Sequence, residues 1–124
     1  VVYGSRVLNK KYFNLKDGLR KNYRVLGNFI LTLLSNIINN QTLTDAHTCY
    51  KMFTKELFLK LDIKENDFAF CPEVNTKISL LNEKISEVPI NYQGREVEDG
   101  KKISFYDALV ALKVIIKYRF FFKF

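Results

Sequence analysis

The chain opens with Val1-Val2-Tyr3-Gly4-Ser5-Arg6, three apolar residues followed by two small ones and an arginine. A short apolar run that ends at Gly-Ser reads as a buried strand and its exit. In open α/β sheets, ligands bind beyond the carboxyl ends of the strands. An arginine at such a point can pair two phosphate oxygens with its planar fork. Arg6 is therefore the first candidate for a phosphate site. The same three residues also describe an ordinary surface turn.

Outward from this strand the pattern turns helical. Residues 6–15 are a basic, irregular connection. From Lys16 to Asn39, the residues Leu19, Tyr23, Leu26, Ile30, Leu33 and Ile37 recur at helical spacing, which predicts one long amphipathic helix or two with a break near Gly27. Asn39-Asn40-Gln41 ends it. In Thr44–Phe53, Thr44 or Asp45 can cap a turn, and Thr48–Phe53 suits a short extended piece. Thr54 caps a short helix over Lys55–Leu61. Pro72 suits the first position of a helix reaching about Asn82, with Glu73 near its positive end. Ile85–Tyr92 is the second strand, and Pro89 marks it as an edge or a bend. Gln93–Lys102 is a polar loop holding Gly94 and Gly100, and Ser104 caps a last helix from Phe105 to about Phe121. Strands interleaved with helices give the α/β class. Two strands alone do not make a stable sheet. The chain also begins in mid-strand without a Met. The expectation is a fragment that borrows a sheet from missing sequence, or an oligomer.

A length of 124 residues suits one domain, since domains run to roughly 100–200 residues. With 48% hydrophobic and 27% charged residues, disorder is excluded, and 5 Gly and 2 Pro exclude collagen-like and linker-like chains. No apolar run approaches the roughly 18 residues of a spanning helix, and no secretory leader is visible. The expected location is the cytoplasm, or the cytoplasmic face of a membrane. Cys49 and Cys71 read as reduced thiols, and a single His leaves a Cys/His zinc site short of ligands.

The net charge of +7 is unevenly placed: +6 over residues 1–43, −4 over 44–100 and +5 over 101–124. Basic ends around an acidic middle suit an anionic partner such as phosphate or an anionic membrane surface. Nucleic acid would rest on charge alone, and the acidic middle and scattered aromatics argue against it. A genome biased toward Lys, Asn and Ile would give part of the same charge without function.

Two further clusters join Arg6. Thr44-Asp45-Ala46-His47-Thr48-Cys49-Tyr50-Lys51 packs an acid, an imidazole, hydroxyls and an ammonium into eight positions. Asp45 suits a general base, and His47 the same role near neutral pH; a capped turn with a satisfied His47 is the simpler account. Gly94 to Lys102 is a glycine-bracketed loop whose Arg95, Lys101 and Lys102 can close over a diphosphate, or simply be solvated.

Taken in order, VVYGSR, GNFILTLLSNIINN, LTDAHTCYKMF, FCPEV and EVPINYQGR…GKKISFYDALVALKVIIKYRF resemble the second half of the family-two glycosyltransferases. The nearest group is that of the dolichol-phosphate mannosyltransferases and polyprenyl-phosphate glycosyltransferases. The resemblance covers nearly the whole chain and implies the C-terminal portion of one GT-A domain over residues 1–124. That is a Rossmann-like α/β fold with few strands and several helices in this half. It implies transfer of a hexose from a nucleotide sugar to a polyprenyl or dolichyl phosphate at a membrane surface, with inversion and with a divalent metal, Mg or Mn. It places Arg6 near the active-site cleft, Asp45 beside acceptor and sugar as the catalytic residue, and Arg95, Lys101 and Lys102 by the phosphates. Lys51 and, with less weight, His47 fall on the acceptor side. An ionised acceptor phosphate needs no strong base, so Asp45 can orient groups instead. The family's Asp-x-Asp metal motif and nucleotide-binding half are absent here, so this chain alone has no evident metal site and is expected to be inactive. The alternative expectation is a non-enzymatic basic module that attaches to an anionic membrane or to a partner chain.

Overall fold

A computed structural model describes residues 1–8, 23–90 and 105–124. Arg95, Lys101 and Lys102, the Gln93–Lys102 loop, the Ser104 cap and the start of the Lys16–Asn39 helix lie outside the described residues. The described elements are β1 (Val2–Ser5), α1 (Tyr23–Asn39), β2 (Lys51–Met52), α2 (Lys55–Leu61), a 3-10 turn (Asp67–Ala69), α3 (Phe70–Leu80), β3 (Ser86–Pro89) and α4 (Phe105–Phe120). The chain is α/β, with a small mixed sheet of order β2-β1-β3 and four helices among the described residues.

The first strand is central. It pairs in parallel with β3, Tyr3 opposite Glu87 and Ser5 opposite Pro89, and antiparallel with β2. The third strand is the two-residue piece Lys51–Met52, inside the Thr48–Phe53 stretch read as extended, and it joins the two strands read at Val1–Ser5 and Ile85–Tyr92 in one sheet. The edge reading of Pro89 holds for a concrete reason. Ser86 donates its N–H to Val1 O and Ile90 donates its N–H to Ser5 O. Residues 86 and 90 therefore face β1, and alternation turns the nitrogen of Pro89 outward. The missing N–H falls on the open edge, where it blunts further pairing. Gly4 donates to Tyr50 O at 2.7 Å. A Cβ at Gly4 would lie 2.8 Å from Ile90 Cγ2 and 2.9 Å from Tyr50 Cβ, so close approach of the chains requires glycine.

The main core joins Tyr3, Leu43, Ala46, Leu61, Val74 and Ile78, with Val1, Phe53, Phe70 and Ile85 packed around it. Thr54 caps α2 as its sequence indicates, its hydroxyl accepting from Leu57 N. Helix α3 begins at Phe70, two residues earlier than Pro72 suggests; Pro72 occupies the first turn, where a missing N–H costs nothing. Helix α4 packs on α3 and on α1, and its Val114 and Tyr118 close a second cluster over Ala69.

Helix α1 runs unbroken through Gly27, but it faces the other way from its apolar pattern. Ile30, Leu33 and Ile37 of the apolar stripe are exposed, as is Phe29, while Thr32, Ser35 and Asn39 are buried. Each of these three side chains makes at least one hydrogen bond. Ala46 N donates to Thr32 Oγ1, and the Asn39 amide reaches Ser35 and Thr76. Paired polar groups can occupy a core face at little cost, and this face is needed to hold the 43–48 segment.

Inside α3, Glu73 and Lys77 form a fully buried pair at 2.7 Å. Glu73 also accepts the N–H groups of Lys64 and Glu65, and Lys77 donates to the carbonyls of Leu61 and Asp62. The pair stitches the loop after α2 to the helix, beneath the rings of Tyr118 and Phe122.

Candidate functional site

The segment after α1 is held through several of its backbone groups. Asn36 clamps Leu43 by accepting its N–H and donating to its carbonyl at 3.0 and 2.8 Å. Ala46 O accepts from Asn75 Nδ2 and from Lys51 Nζ. Asn75 is itself fixed by the Tyr3 hydroxyl at 2.6 Å. Burial raises the pKa of that hydroxyl, so it stays a proton donor. The Thr44–Thr48 turn is thereby pressed against the carboxyl end of β1.

There Asp45, with no exposed surface, meets Arg6. Its Oδ2 accepts Arg6 Nε at 2.7 Å and Arg6 N at 3.1 Å, while its Oδ1 accepts Arg6 Nη2 at 2.8 Å and Asn28 Nδ2 at 3.3 Å. Burial, the largest single influence, pushes the Asp45 pKa up. The hydrogen bonds and charge of Arg6 together outweigh it and hold the carboxyl below its ordinary value. Asp45 is therefore ionised, with four N–H donors on its two oxygens. That arrangement suits a group that orients Arg6 more than one that removes a proton. The Arg6 side chain keeps 25% of its surface exposed.

A second carboxylate, Glu87 of β3, completes the cluster. It accepts Thr44 N at 2.9 and 3.0 Å, Thr44 Oγ1 at 2.8 Å and Asp45 N at 3.2 Å. Since Thr44 gives its only hydroxyl proton to Glu87, the 2.7 Å contact between Ser5 and Thr44 has Ser5 as donor. Parallel pairing of β1 and β3 sets Glu87 beside Tyr3, one step from Ser5 on the same face. Neither Glu87 nor Asn28 stands out in the sequence. The one available signal is period-two alternation, which turns Glu87 to the same side as Tyr3 once β1 and β3 are paired.

Lys51 reaches under the turn, not out of it. It donates to the carbonyls of Ala46 and Thr48, lies 4.0 Å from the centre of the Tyr3 ring, and has its pKa lowered by burial. His47 is half-buried, with Nε2 unpartnered among the described residues. Burial first, then the charge of Lys51, lowers its pKa to about 4, so it is neutral at pH 7. Cys71 lies behind the same turn, its Sγ 3.7 Å from the carbonyls of His47 and Thr48. Both cysteines are free.

The structure thus brings Arg6 and Asp45 into direct contact, sets His47 on the same turn as Asp45, and places Lys51 of β2 beneath it. Among the described residues, the carboxylates of this cluster do not fit a divalent cation. Both Asp45 oxygens are engaged by N–H donors, Glu87 is engaged by backbone and hydroxyl donors, and no cluster of three ligating side chains occurs among the described residues. No described helix is long and apolar enough to cross a membrane. No protein-family model, curated protein or solved structure matches the chain.

Proposed function

We propose that this chain is the acceptor-side portion of a GT-A glycosyltransferase that moves a hexose from a nucleotide sugar to a polyprenyl phosphate. The observation that carries this reading is the Arg6–Asp45 pair at the carboxyl ends of two parallel strands, locked by Glu87 and Asn28. A guanidinium oriented in this way offers a fixed cation where charge collects between a donor diphosphate and an acceptor phosphate. Asp45 holds that cation in place; the acceptor phosphate, already ionised, needs no base. Arg95, Lys101 and Lys102 would add cations from the segment after β3. The metal that the family uses would be held by residues other than those described, and no step is assigned to it.

The test is transfer of labelled hexose to a polyprenyl phosphate by a longer natural chain carrying these residues, across a panel of nucleotide sugars. Arg6→Gln and Asp45→Asn are expected to lower turnover by about 10²-fold or more, the scale of losing one oriented charge donor. Full activity in both variants overturns the assignment. The 124-residue chain alone is expected to show no turnover, and turnover of any nucleotide sugar by it overturns that part.

A second reading is favoured by the exposed Phe29, Ile30, Leu33 and Ile37 of α1 and by Phe120 and Phe121 next to Lys123. These suit attachment of a basic module to an anionic membrane surface. Salt-sensitive binding to anionic vesicles without any transferase activity would support it over the first.

A further inference from the structure

Behind the Thr44–Thr48 turn lie three groups to which the transferase reading gives no role: Cys49, Cys71 and Lys51. Cys71, the second residue of α3, is buried, and its Sγ lies 3.7 Å from the carbonyl oxygens of both His47 and Thr48. Cys49 follows Thr48 directly and is exposed. A trans peptide puts the next Cα about 3 Å from a carbonyl oxygen, so Cys49 Cα stands no more than about 7 Å from the Cys71 sulfur. A disulfide needs Cβ atoms about 3.5–4.5 Å apart. Rotation of the exposed Cys49 side chain, with a small shift of the backbone beneath it, covers the difference.

Lys51 joins the two sulfurs. Its amine donates to Ala46 O and to Thr48 O, and Thr48 O is one of the oxygens that the Cys71 sulfur approaches. Burial pushes the Cys71 thiol up, while the charge of Lys51 and its hydrogen bond to the sulfur oppose this. Cys49 acts electrostatically on both Cys71 and Lys51, so the three groups lie within reach of one another. The two thiols differ in kind. Cys49 meets solutes in water. Cys71 is sheltered, and the cation beside it favours its thiolate. One accessible sulfur backed by a second that can resolve it is the arrangement of a peroxide-responsive pair.

We propose that Cys49 and Cys71 form a reversible disulfide in response to hydrogen peroxide, Cys49 being attacked first and Cys71 resolving it. The Cys49 thiolate attacks one peroxide oxygen and the O–O bond breaks. Its sulfur is oxidised to a sulfenic acid, and the released hydroxide takes up the Cys49 proton as water. The Cys71 thiolate then attacks the Cys49 sulfur and the S–O bond breaks. Hydroxide leaves with the Cys71 proton as a second water. The new bond closes a loop of about 20 residues that carries β2 and α2, and it ties the end of the Asp45 turn to the first turn of α3. The pair does not rest on the transferase reading. The experiment treats the reduced 124-residue chain with a small excess of hydrogen peroxide, in buffer and in urea, and maps its thiols by alkylation and peptide mass spectrometry. The expected product is a monomer lighter by two hydrogens, with Cys49 linked to Cys71 and both thiols restored by dithiothreitol. Closure is expected to be faster in buffer than in urea. Cys49→Ser, at an exposed position, is expected to leave Cys71 reduced. Cys71→Ala is expected to leave Cys49 as a sulfenic acid that a cyclic 1,3-diketone traps. If Cys71→Ala does not fold, the wild-type map and Cys49→Ser carry the test. Conversion of Cys49 to sulfinic acid with Cys71 still reduced overturns the proposal, as does a Cys49–Cys49 bond between two chains. Closure no faster in buffer than in urea also overturns it, because the pairing then belongs to the open chain and not to the fold.

Discussion

Asp45 shows how a charge can be buried here without becoming a proton acceptor. Its oxygens receive three bonds from Arg6 and one from Asn28, so ionisation is secured by geometry. Removing one partner of such a buried pair leaves an uncompensated charge, at a typical cost of about 3–5 kcal/mol. Arg6→Ala is therefore expected to lower stability by about 3 kcal/mol, and Asp45→Ala in the same background to cost much less; urea denaturation of both singles and the double checks the coupling. Glu87 carries no such opposite charge, yet it accepts three donors from Thr44 and Asp45. Glu87→Ala should cost about 2 kcal/mol and speed hydrogen exchange at the Thr44 and Asp45 amides, while Glu87→Gln, which keeps an acceptor, should cost less. His47 gives the turn its acid sensitivity. Its folded pKa of about 4 lies below its ordinary 6.5, so between these values the unfolded chain binds more protons than the folded one. Stability from this source is full above about pH 6.5 and is lost as the pH falls toward 4. Asp45, also lowered, contributes stability that disappears only below the ordinary carboxylate range. Acid titration of unfolding free energy should show the first loss in the wild type and not in His47→Gln. An unchanged profile in that variant would remove His47 as the cause.

Among the elements, those set by local chemistry were legible in the sequence. The Thr54 cap, the α2 span, the β1 run and the outer-edge place of Pro89 follow from residues that act on their own backbone. Helix α1 was legible as a helix but not in its facing. Counting apolar residues puts Ile30, Leu33 and Ile37 inward, whereas the packed face is Thr32, Ser35 and Asn39, chosen because each finds a hydrogen-bond partner. Those partners are up to 37 residues distant, and no local pattern reports them. The two-residue β2 falls within the Thr48–Phe53 stretch read as extended, but its pairing with β1, next to the bond from Gly4 N–H to Tyr50 O, has no local signal. Of the candidate site, Arg6 with Asp45 could be read as two motifs and their contact only from structure; Glu87 looked like any polar strand residue. The Glu73–Lys77 pair tests a related point. Exchanging a buried ion pair for apolar residues is often neutral. Here Glu73 also holds the Lys64 and Glu65 amides, so Glu73→Leu with Lys77→Met should still lose about 2 kcal/mol or more in thermal or urea unfolding.

For the whole molecule, the described residues leave two apolar surfaces open. On the sheet face opposite Tyr3, Met52 and Val88 stay exposed, although parallel strands are usually covered on both sides. On α1, Phe29, Ile30, Leu33 and Ile37 form a contiguous outward stripe, with Ile37 at 69% exposure. Both surfaces are open to a covering layer among the described residues, and the +7 charge would favour an anionic one. The two readings of function part here. If the α1 stripe lies on an anionic membrane, apolar insertion adds to charge attraction, and binding depends on both. Phe29→Glu with Ile37→Glu changes only exposed side chains, so folding stability should move by no more than about 0.5 kcal/mol. Sedimentation with anionic vesicles should fall sharply in this variant at low salt. Phe29→Ser with Ile37→Ser, which leaves the charge alone, should show an intermediate loss that persists as salt is raised. Vesicle binding that is equal in the serine variant and the wild type would assign the attachment to charge alone and leave the α1 stripe to a protein partner.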